Sequence, residues 1–311
     1  MSSSPQYVVL GAGVLGRATA LLLARQGVPV RQISRGGSGA EHPLIERVAG
    51  DVGDTERFAG LVAGAEVLVN CAIPAYDRWA TDVPPFAAAL LAAVERTGVR
   101  YVMLGNLYGY GHVEGPISEG LPMAPVSDKG RVRARMWLDA LAAHRAGRAS
   151  VTEVRAGAFL GPGAVSIFTL GIAPQVLVGE IATYPGRLDV AHAWSDVGDV
   201  ARTLVAASRD DRSWGRAWHA PAVANITAAD LTARFAELTG APEPRLERLD
   251  RAALALLAAD QPFFGALVEQ LYATEHPHLL DSAETERALG VTARPLDDVL
   301  LATARALPGQ G

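Results

Sequence analysis

Three glycines near the beginning of the chain have the spacing G-x-G-x-x-G, formed by Gly11, Gly13 and Gly16. The apolar run YVVL precedes them and a helix-forming segment follows. In that setting the first glycine permits a tight turn, the second allows the backbone to approach a pyrophosphate, and the third lets helix and strand pack closely. The helix start, including Val14 and Leu15, adds amide donors and a positive dipole. The motif therefore predicts a dinucleotide-binding turn.

The end of the second predicted strand bears on the choice between NAD and NADP. An NAD site usually has a carboxylate there that binds the ribose 2′-hydroxyl, whereas a basic residue accommodates a 2′-phosphate. This chain has Ser34 and Arg35 and no carboxylate. We expect NADP to be preferred through Arg35, with NAD as the other cofactor considered. The alternative is that Arg35 is an ordinary solvated cation.

A second group of residues could transfer protons. Lys129 and Arg133 are four residues apart in PVSDKGRVR, so on a helix they share a face. Arg133 stays protonated and can only donate hydrogen bonds, whereas the pKa of Lys129 falls if it is buried beside that cation, making it a usable acid or base. Tyr108 and Tyr110 offer phenols as a second route to the same chemistry. The alternative is that the cations face water and the tyrosines only pack.

Alternating strand and helix patterns must position these residues. Predicted strands follow the first one at 28–34, 44–49, 66–71, 100–104 and 150–155, and predicted helices lie at 85–97, 131–146 and 197–208. Strands that alternate with helices imply an α/β fold with a doubly wound parallel sheet and right-handed crossovers. From Gly161 the pattern becomes irregular, and 227–274 is mostly helical.

Composition narrows the class of partner. The chain has 311 residues, 50% of them hydrophobic, and a formal charge of −5 without a basic stripe, which argues against nucleic acid or an anionic membrane and favours a small-molecule substrate. No apolar run approaches the roughly 20 residues of a membrane span, and MSSSPQ lacks signal-peptide features, so we expect a cytoplasmic protein. The single cysteine, Cys71, excludes an internal disulfide, and no metal site is expected. A monomer and a homodimer remain equal expectations.

Further motifs resemble the short-chain dehydrogenase/reductase superfamily, in its extended or atypical epimerase/dehydratase-like branch. They are GDVGD with Asp51 and Val52, NCAIPAY with Cys71 and Ala72, NLYGYG followed by Glu119, AWSDVGDVARTL, and LDSAETERALGVTARPLDDVL. The resemblance implies that Asp51 and Val52 contact the adenine and that the loop with Cys71 and Ala72 borders the nicotinamide ribose.

The resemblance also implies a catalytic set that this chain lacks. The family places a Ser or Thr four residues before a Tyr-Gly pair and a Tyr-x-x-x-Lys further on, and the matching positions here are Asn106, Lys129 and Arg133. Ordinary tyrosine-dependent reduction is therefore in doubt. Asn106 can still donate an amide hydrogen bond to an oxyanion, and Arg133 can hold ribose hydroxyls as the family lysine does.

The same resemblance predicts the domain organisation, since its C-terminal signatures return the chain to the nucleotide domain. Residues 1–160 would form a dinucleotide-binding domain completed by about 189–225 and 275–311, with 161–188 and 226–274 as a substrate-binding lobe. The leading functional hypothesis is an NADP-dependent oxidoreductase or epimerase acting on a small-molecule carbonyl or alcohol with a non-standard acid/base group. The alternatives are a non-redox isomerase, lyase or cyclase and a catalytically silent NADP-binding protein.

Overall fold

The structure is a computed structural model, and it describes residues 6–307. The strands in this part of the chain are β1 (Tyr7–Leu10), β2 (Val30–Ser34), β3 (Ile45–Ala49), β4 (Val67–Asn70), β5 (Arg100–Asn106), β6 (Val151–Ala156), β7 (Ala158–Leu160), β8 (Ile181–Pro185), β9 (Ala191–Asp196), β10 (Ala217–His219), β11 (Ala222–Thr227) and β12 (Arg245–Leu249).

The helices in the same part of the chain are α1 (Val14–Arg25), α2 (Thr55–Val62), α3 (Trp79–Thr97), α4 (Asp128–Arg145), α5 (Ala173–Leu177), α6 (Val197–Arg209), α7 (Ala228–Thr239), α8 (Arg251–Ala258), α9 (Pro262–Val268), α10 (Tyr272–Glu275), α11 (Ala283–Leu289) and α12 (Leu296–Ala306). Short 3-10 turns at Tyr76–Arg78 and Tyr108–Tyr110 follow β4 and β5. These two turns carry aromatic side chains to one edge of the sheet.

Seven parallel strands form the main sheet in the order β3-β2-β1-β4-β5-β6-β10. This arrangement confirms the predicted doubly wound α/β fold. The strand order reverses at β1, where Leu10 is paired with Ile33 on one side and Asn70 on the other. Ligands of open parallel sheets bind in the crevice at the carboxyl ends of the strands beside such a reversal.

Helices cover both faces of this sheet. On one face Leu23 of α1 and Leu204 of α6 pack against the strands, and on the other face Phe58 of α2, Leu90 of α3 and Trp137 of α4 do so. Strands buried on both faces have continuous apolar runs rather than alternating ones. The runs YVVL and VLVN are of this kind, which is why the sequence indicates these strands clearly.

Two helices begin earlier than the sequence patterns predicted. Helix α3 begins at Trp79 rather than at 85, with both prolines inside the helix, because the buried Trp79 ring fixes the first turn and its Nε1 donates to the Pro74 carbonyl at 3.1 Å. Helix α4 begins at Asp128 rather than at 131 because the Ser127 hydroxyl accepts from the Gly130 amide at 3.0 Å, as a helix cap does. Because α4 begins at Asp128, Lys129 lies in its first turn.

The rest of the chain contains strands that the sequence patterns did not predict. In a three-stranded sheet, β9 pairs with β11 in antiparallel fashion and with β7 in parallel fashion. Strands β8 and β12 form a separate parallel pair, which joins residues 161–188 to the segment 226–274. Phe168, Trp194 and Phe235 fill the core between these elements. The segment 227–274 was predicted to be mostly helical, and β12 is the departure from that prediction.

Residues 6–307 contain neither a helix suited to a membrane nor a cluster of metal ligands. No helix there combines the length and the apolar character needed to cross a membrane. The same residues contain no group of three or more His, Cys, Asp or Glu side chains arranged to hold a metal ion.

Candidate active site

The glycine turn connects β1 to α1 at the strand-order reversal. Gly11 has a φ of +112°, a conformation that favours glycine, and a Cβ on Gly16 would overlap the carbonyl oxygen of Gly11. A Cβ on Gly13, in contrast, would meet no protein atom within 4 Å. Gly11 and Gly16 are therefore required by the fold itself, whereas the space beside Gly13 is open to a ligand.

The first turn of α1 has the properties of an anion site. Gly13 occupies the N-cap position, no side chain caps the helix, and its first turn holds no acidic residue. The amides that follow Gly13, including those of Val14 and Leu15, are thus left for an external acceptor. These residues fit the pyrophosphate of a dinucleotide.

The glycine turn is tied to the loop that follows β2. Arg17 donates from Nε to the Ala12 carbonyl at 2.8 Å and from Nη1 to the Gly39 carbonyl at 2.6 Å. The fully buried Gln32 side chain donates to the Gly11 carbonyl at 2.8 Å and accepts from the Ala40 amide at 2.7 Å. Two side chains thus hold the turn and the loop, which would contact opposite ends of an adenosine diphosphate group, as one unit.

The residues expected at the adenosine end lie around this loop. The Ser34 hydroxyl donates to the Ser38 carbonyl at 2.7 Å, and the Arg35 side chain is exposed directly after β2. Asp51 accepts the Gly53 amide at 2.8 Å, and Val52 is buried against the sheet. Arg35 is therefore free to meet a phosphate, whereas Ser34 already supports its own loop.

Cys71 and Ala72 follow β4, on the other side of the glycine turn. A Cβ on Gly11 would lie 3.1 Å from the Ala72 amide nitrogen, so the two segments are in close contact. The Ala72 amide donates to the Asn70 side chain at 2.9 Å. Burial raises the pKa of the Cys71 thiol to about 12, which keeps it neutral and unreactive.

Tyr108 lies at the end of β5, where several polar groups meet. Its hydroxyl lies 3.4 Å from the hydroxyl of Tyr76, and its backbone amide donates to the Asn106 side chain at 3.2 Å. Burial raises the pKa of Tyr108, while the hydrogen bond with Tyr76 and the charge of Arg133 act in the opposite direction. Asn106 therefore fixes the turn that presents Tyr108.

Lys129 is held by a carboxylate and not, as the sequence suggested, placed chiefly beside Arg133. Its Nζ lies 2.6 Å from Oε1 of Glu269, and its backbone amide donates to Oε2 of the same residue at 3.1 Å. The Lys129 side chain is 6% exposed, and its Nζ lies over the Tyr76 ring, 4.6 Å from the centroid. The ammonium is thus bound by one anion and one aromatic face.

Arg133 lies one helical turn further along α4. Its guanidinium lies over the Trp79 ring at 4.7 Å, and Nη1 donates to the Leu104 carbonyl at 3.0 Å. Its Nε is buried without a partner among the residues that the structure describes, and desolvation lowers its pKa. Since Tyr76 and Trp79 touch, with centroids 5.2 Å apart, Lys129 and Arg133 meet one aromatic surface.

Tyr110 lies outside the group formed by Tyr76, Tyr108, Lys129 and Arg133. It is fully buried, its hydroxyl lies 2.8 Å from Nε2 of His219, and it accepts a hydrogen bond from Arg155. Because both of its partners belong to the protein, this hydroxyl has a structural role. Of the two tyrosines in NLYGYG, the structure brings only Tyr108 to Lys129 and Arg133.

Three residues near Tyr108 were not predicted from the sequence as site residues, namely Tyr76, Glu269 and Tyr272. Tyr76 stands at the end of NCAIPAY, where its phenol could have been considered, whereas Glu269 and Tyr272 lie in a helical stretch with no motif. Tyr272 donates to the Tyr108 carbonyl at 3.3 Å. Contacts across some 140 to 164 positions leave no local pattern that would reveal them.

Solved structures with the same fold are similar to nearly the whole chain. MoeE5 in complex with UDP-glucuronic acid and NAD has 21% identity and a TM-score of 0.79, covering 97% of this chain and 98% of its own. DesIV, a dTDP-glucose 4,6-dehydratase from Streptomyces venezuelae with NAD bound, has 21% identity and a TM-score of 0.74 at 96% coverage of both chains. UDP-glucuronic acid 4-epimerase from Bacillus cereus has 17% identity and a TM-score of 0.77, covering 96% and 98%.

Of the sequence comparisons, the one with family models agrees with these structural similarities. No curated protein sequence matches this chain. The family model for the NAD dependent epimerase/dehydratase family matches residues 7–219, which include the glycine turn, Tyr108, Lys129 and Arg133. This match confirms the resemblance stated from the motifs, and the chain belongs to the NAD-dependent epimerase/dehydratase family.

Proposed function

We propose that this protein is an NADP-preferring oxidoreductase or epimerase that acts on the carbonyl or alcohol group of a small molecule. The observation that carries the proposal is the convergence of two features at the strand-order reversal. The uncapped start of α1 follows β1, and Tyr108 follows β5, with only β4 between those strands. An anion-binding helix start and a proton-bearing group thus lie at the same carboxyl edge of the sheet, an arrangement that suits a dehydrogenase or epimerase.

A nicotinamide cofactor bound here would supply or accept the hydride, so the chain itself must move one proton to or from the substrate oxygen. Tyr108 is the residue we assign to this step, because its phenol lies beside that of Tyr76 and under the electrostatic influence of Arg133. The charge of Arg133 favours the phenolate and so partly offsets the burial that raises the pKa of Tyr108. Arg133 would then act on Tyr108 much as the missing lysine acts on the missing tyrosine.

Lys129 is the second candidate for proton transfer. Its ammonium is already bound to Glu269 at 2.6 Å, so it must leave that carboxylate before it can meet a substrate. The pair could instead perform acid and base steps of a non-redox isomerisation, with Glu269 as the base and Lys129 as the acid. This arrangement supports the non-redox reading as the alternative function.

The preference for NADP depends on Arg35. No carboxylate stands at the end of β2, and Arg35 is exposed in the loop that Arg17 and Gln32 attach to the glycine turn. The similar structures named above contain NAD, which favours a nicotinamide dinucleotide in general. The 2′-phosphate preference is our addition to that inference, on the strength of Arg35 alone.

The test is to follow NADPH oxidation with a panel of small carbonyl compounds, including nucleotide-linked ketosugars, and epimerisation of the corresponding alcohols, which consumes no net cofactor. Active compounds are then assayed with Tyr108→Phe. We expect turnover to fall by roughly 10²–10⁴-fold. Tyr7→Phe is the matched control, because the Tyr7 hydroxyl binds Ser208 in the distant core. Undiminished turnover in Tyr108→Phe with loss in Lys129→Met would move the assignment to the lysine.

The non-redox alternative is tested with the same compounds. Gly13→Val should abolish cofactor binding without disturbing the fold, since its side chain enters the space left for the pyrophosphate. A redox or epimerase mechanism predicts that this variant is inactive. Isomerisation that continues in Gly13→Val would contradict the proposed function and support the Lys129–Glu269 alternative.

A further inference from the structure

A cavity of about 380 Å³ lies apart from the cofactor crevice. It is bounded by the C-terminal half of α4, the loop 119–123 and the residues 215–217 that lead into β10. No residue of the glycine turn lines it, and neither do Tyr76, Tyr108, Lys129, Arg133 and Glu269. We propose that this cavity binds a small organic carboxylate with a compact apolar body, which goes beyond the proposed function.

Arg155 supplies the first observation. Its side chain is 3% exposed, Nε donates to Glu153 at 2.6 Å, and Nη1 donates to the Tyr110 hydroxyl. Its remaining nitrogen, Nη2, is buried with no hydrogen-bond partner among residues 6–307. A buried donor without an acceptor is unfavourable, and because Nη2 has almost no accessible surface, the guanidinium must turn toward the cavity before a ligand oxygen can accept from it.

The carboxylates near the cavity are already engaged. Glu153 forms the buried ion pair with Arg155. Glu119, which lines the cavity, accepts from the Thr285 hydroxyl at 3.1 Å and from the His219 amide at 3.3 Å through Oε1. Glu153 is therefore neutralised within the protein, whereas Glu119 has only neutral partners and keeps a negative charge that the arginines of the cavity must outweigh for an anion to bind.

The other two arginines of the cavity add positive charge. Arg216 forms an ion pair with Glu284 at 3.2 Å and lies over the Trp218 ring at 4.1 Å. Arg145 is exposed and forms no ion pair with any residue from 6 to 307. The unused groups are thus guanidinium donors, which match the two oxygens of a carboxylate.

Apolar side chains form the remaining wall. They belong to the loop and to α4: Leu121, Pro122, Met123, Trp137, Leu138 and Leu141. Leu138 is 47% exposed and so leaves apolar surface at the edge of the cavity. This surface suits a ring or a short branched chain attached to the carboxylate.

Benzoate is a suitable probe, with benzamide as its uncharged counterpart. The chain contains five tryptophans, so the indole N–H signals of ¹⁵N-labelled protein can be assigned by single Trp→Phe substitutions. Trp137 lines the cavity, whereas Trp79 lies beneath Arg133 in the candidate active site. We expect benzoate to shift the Trp137 signal with an affinity at least about tenfold higher than that of benzamide, whether NADPH is present or not.

Substitution completes the test. Arg145→Gln should weaken benzoate binding by roughly fivefold or more, as expected for the loss of a charge-assisted contact. Arg25→Gln is the matched control, since Arg25 is also an exposed arginine in the last turn of its helix. The proposal is overturned if only Trp79 responds, if benzamide binds equally well, if Arg145→Gln has no effect, or if benzoate does not bind.

Discussion

The carboxylate of Glu269 binds both the side-chain ammonium and the backbone amide of Lys129, 140 positions earlier in the chain. This contact attaches the turn after α9 to the first turn of α4, beside Tyr76 and Tyr108. The residue that the family resemblance matches to a catalytic tyrosine is thus one half of an ion pair. Which groups remain available for chemistry depends on how firmly this pair holds.

The strength of the pair can be measured by a double-mutant cycle. Lys129→Met and Glu269→Gln should each lower the free energy of unfolding by about 1.5–3 kcal/mol, and the double variant by less than their sum, because a charged hydrogen bond in a mostly buried site is lost once. Urea denaturation gives these values. Arg135 and Asp139 form an exposed pair on the same helix, and Arg135→Gln should cost less than about 1 kcal/mol. Full additivity would contradict the pairing.

Two glycines of the turn should respond differently to the same substitution. Gly13→Val should leave the melting temperature nearly unchanged and abolish dinucleotide binding, because Gly13 has an ordinary φ of −70° and open space at its Cβ. Gly16→Val should lower the melting temperature even without cofactor, because the new side chain would overlap the Gly11 carbonyl. Calorimetry and thermal unfolding separate the two effects. Equal destabilisation by both variants would show that the space beside Gly13 is part of the fold.

Cofactor choice should depend on Arg35. Arg35→Ala should weaken NADPH binding by about 1.5–3 kcal/mol, the range for a hydrogen bond to a charged group, and leave NADH binding nearly unchanged. Isothermal titration with both cofactors gives the comparison. Arg31, also on β2, binds Glu46 and Leu61 instead, so Arg31→Ala is the control for loss of a positive charge. Tighter binding of NADH to the unsubstituted protein would remove the proposed preference.

Three buried histidines should make stability depend on pH. Burial lowers the pKa values of His192, His219 and His278 from 6.5 to about 4. Between those values the unfolded chain binds more protons than the folded one, so stability is fully present above pH 6.5 and falls as the pH drops toward 4. The three together give a slope of roughly 4 kcal/mol per pH unit at most.

Urea denaturation across this range measures that slope. His192→Gln should reduce it by about a third, whereas His276→Gln, at an exposed position, is the matched control. A free energy of unfolding that stays constant from pH 6.5 to 4.5 would contradict the burial of these imidazoles in neutral form.

The sequence revealed those parts of the site that depend on neighbouring residues. The glycine turn, the parallel strands and the positions of Tyr108, Lys129 and Arg133 follow from local motifs and from apolar runs buried on both faces of a sheet. Glu269 could not be found in this way, since a helical carboxylate has no pattern that names a partner 140 positions away. The separation of Tyr108 from Tyr110 was equally hidden, because it depends on Arg155 and His219 from two later strands.

The links made by Arg17 and Gln32 have a consequence for redesign of the cofactor site. The loop after β2 and the glycine turn are joined to each other. The Arg17 guanidinium binds Ala12 and Gly39, and the Gln32 amide binds Gly11 and Ala40. Grafting a foreign loop at 36–40 would break these bonds and loosen the pyrophosphate site along with the adenosine site. If Arg35 selects the cofactor as we propose, a new specificity is best engineered through this single side chain, with the backbone around it left intact.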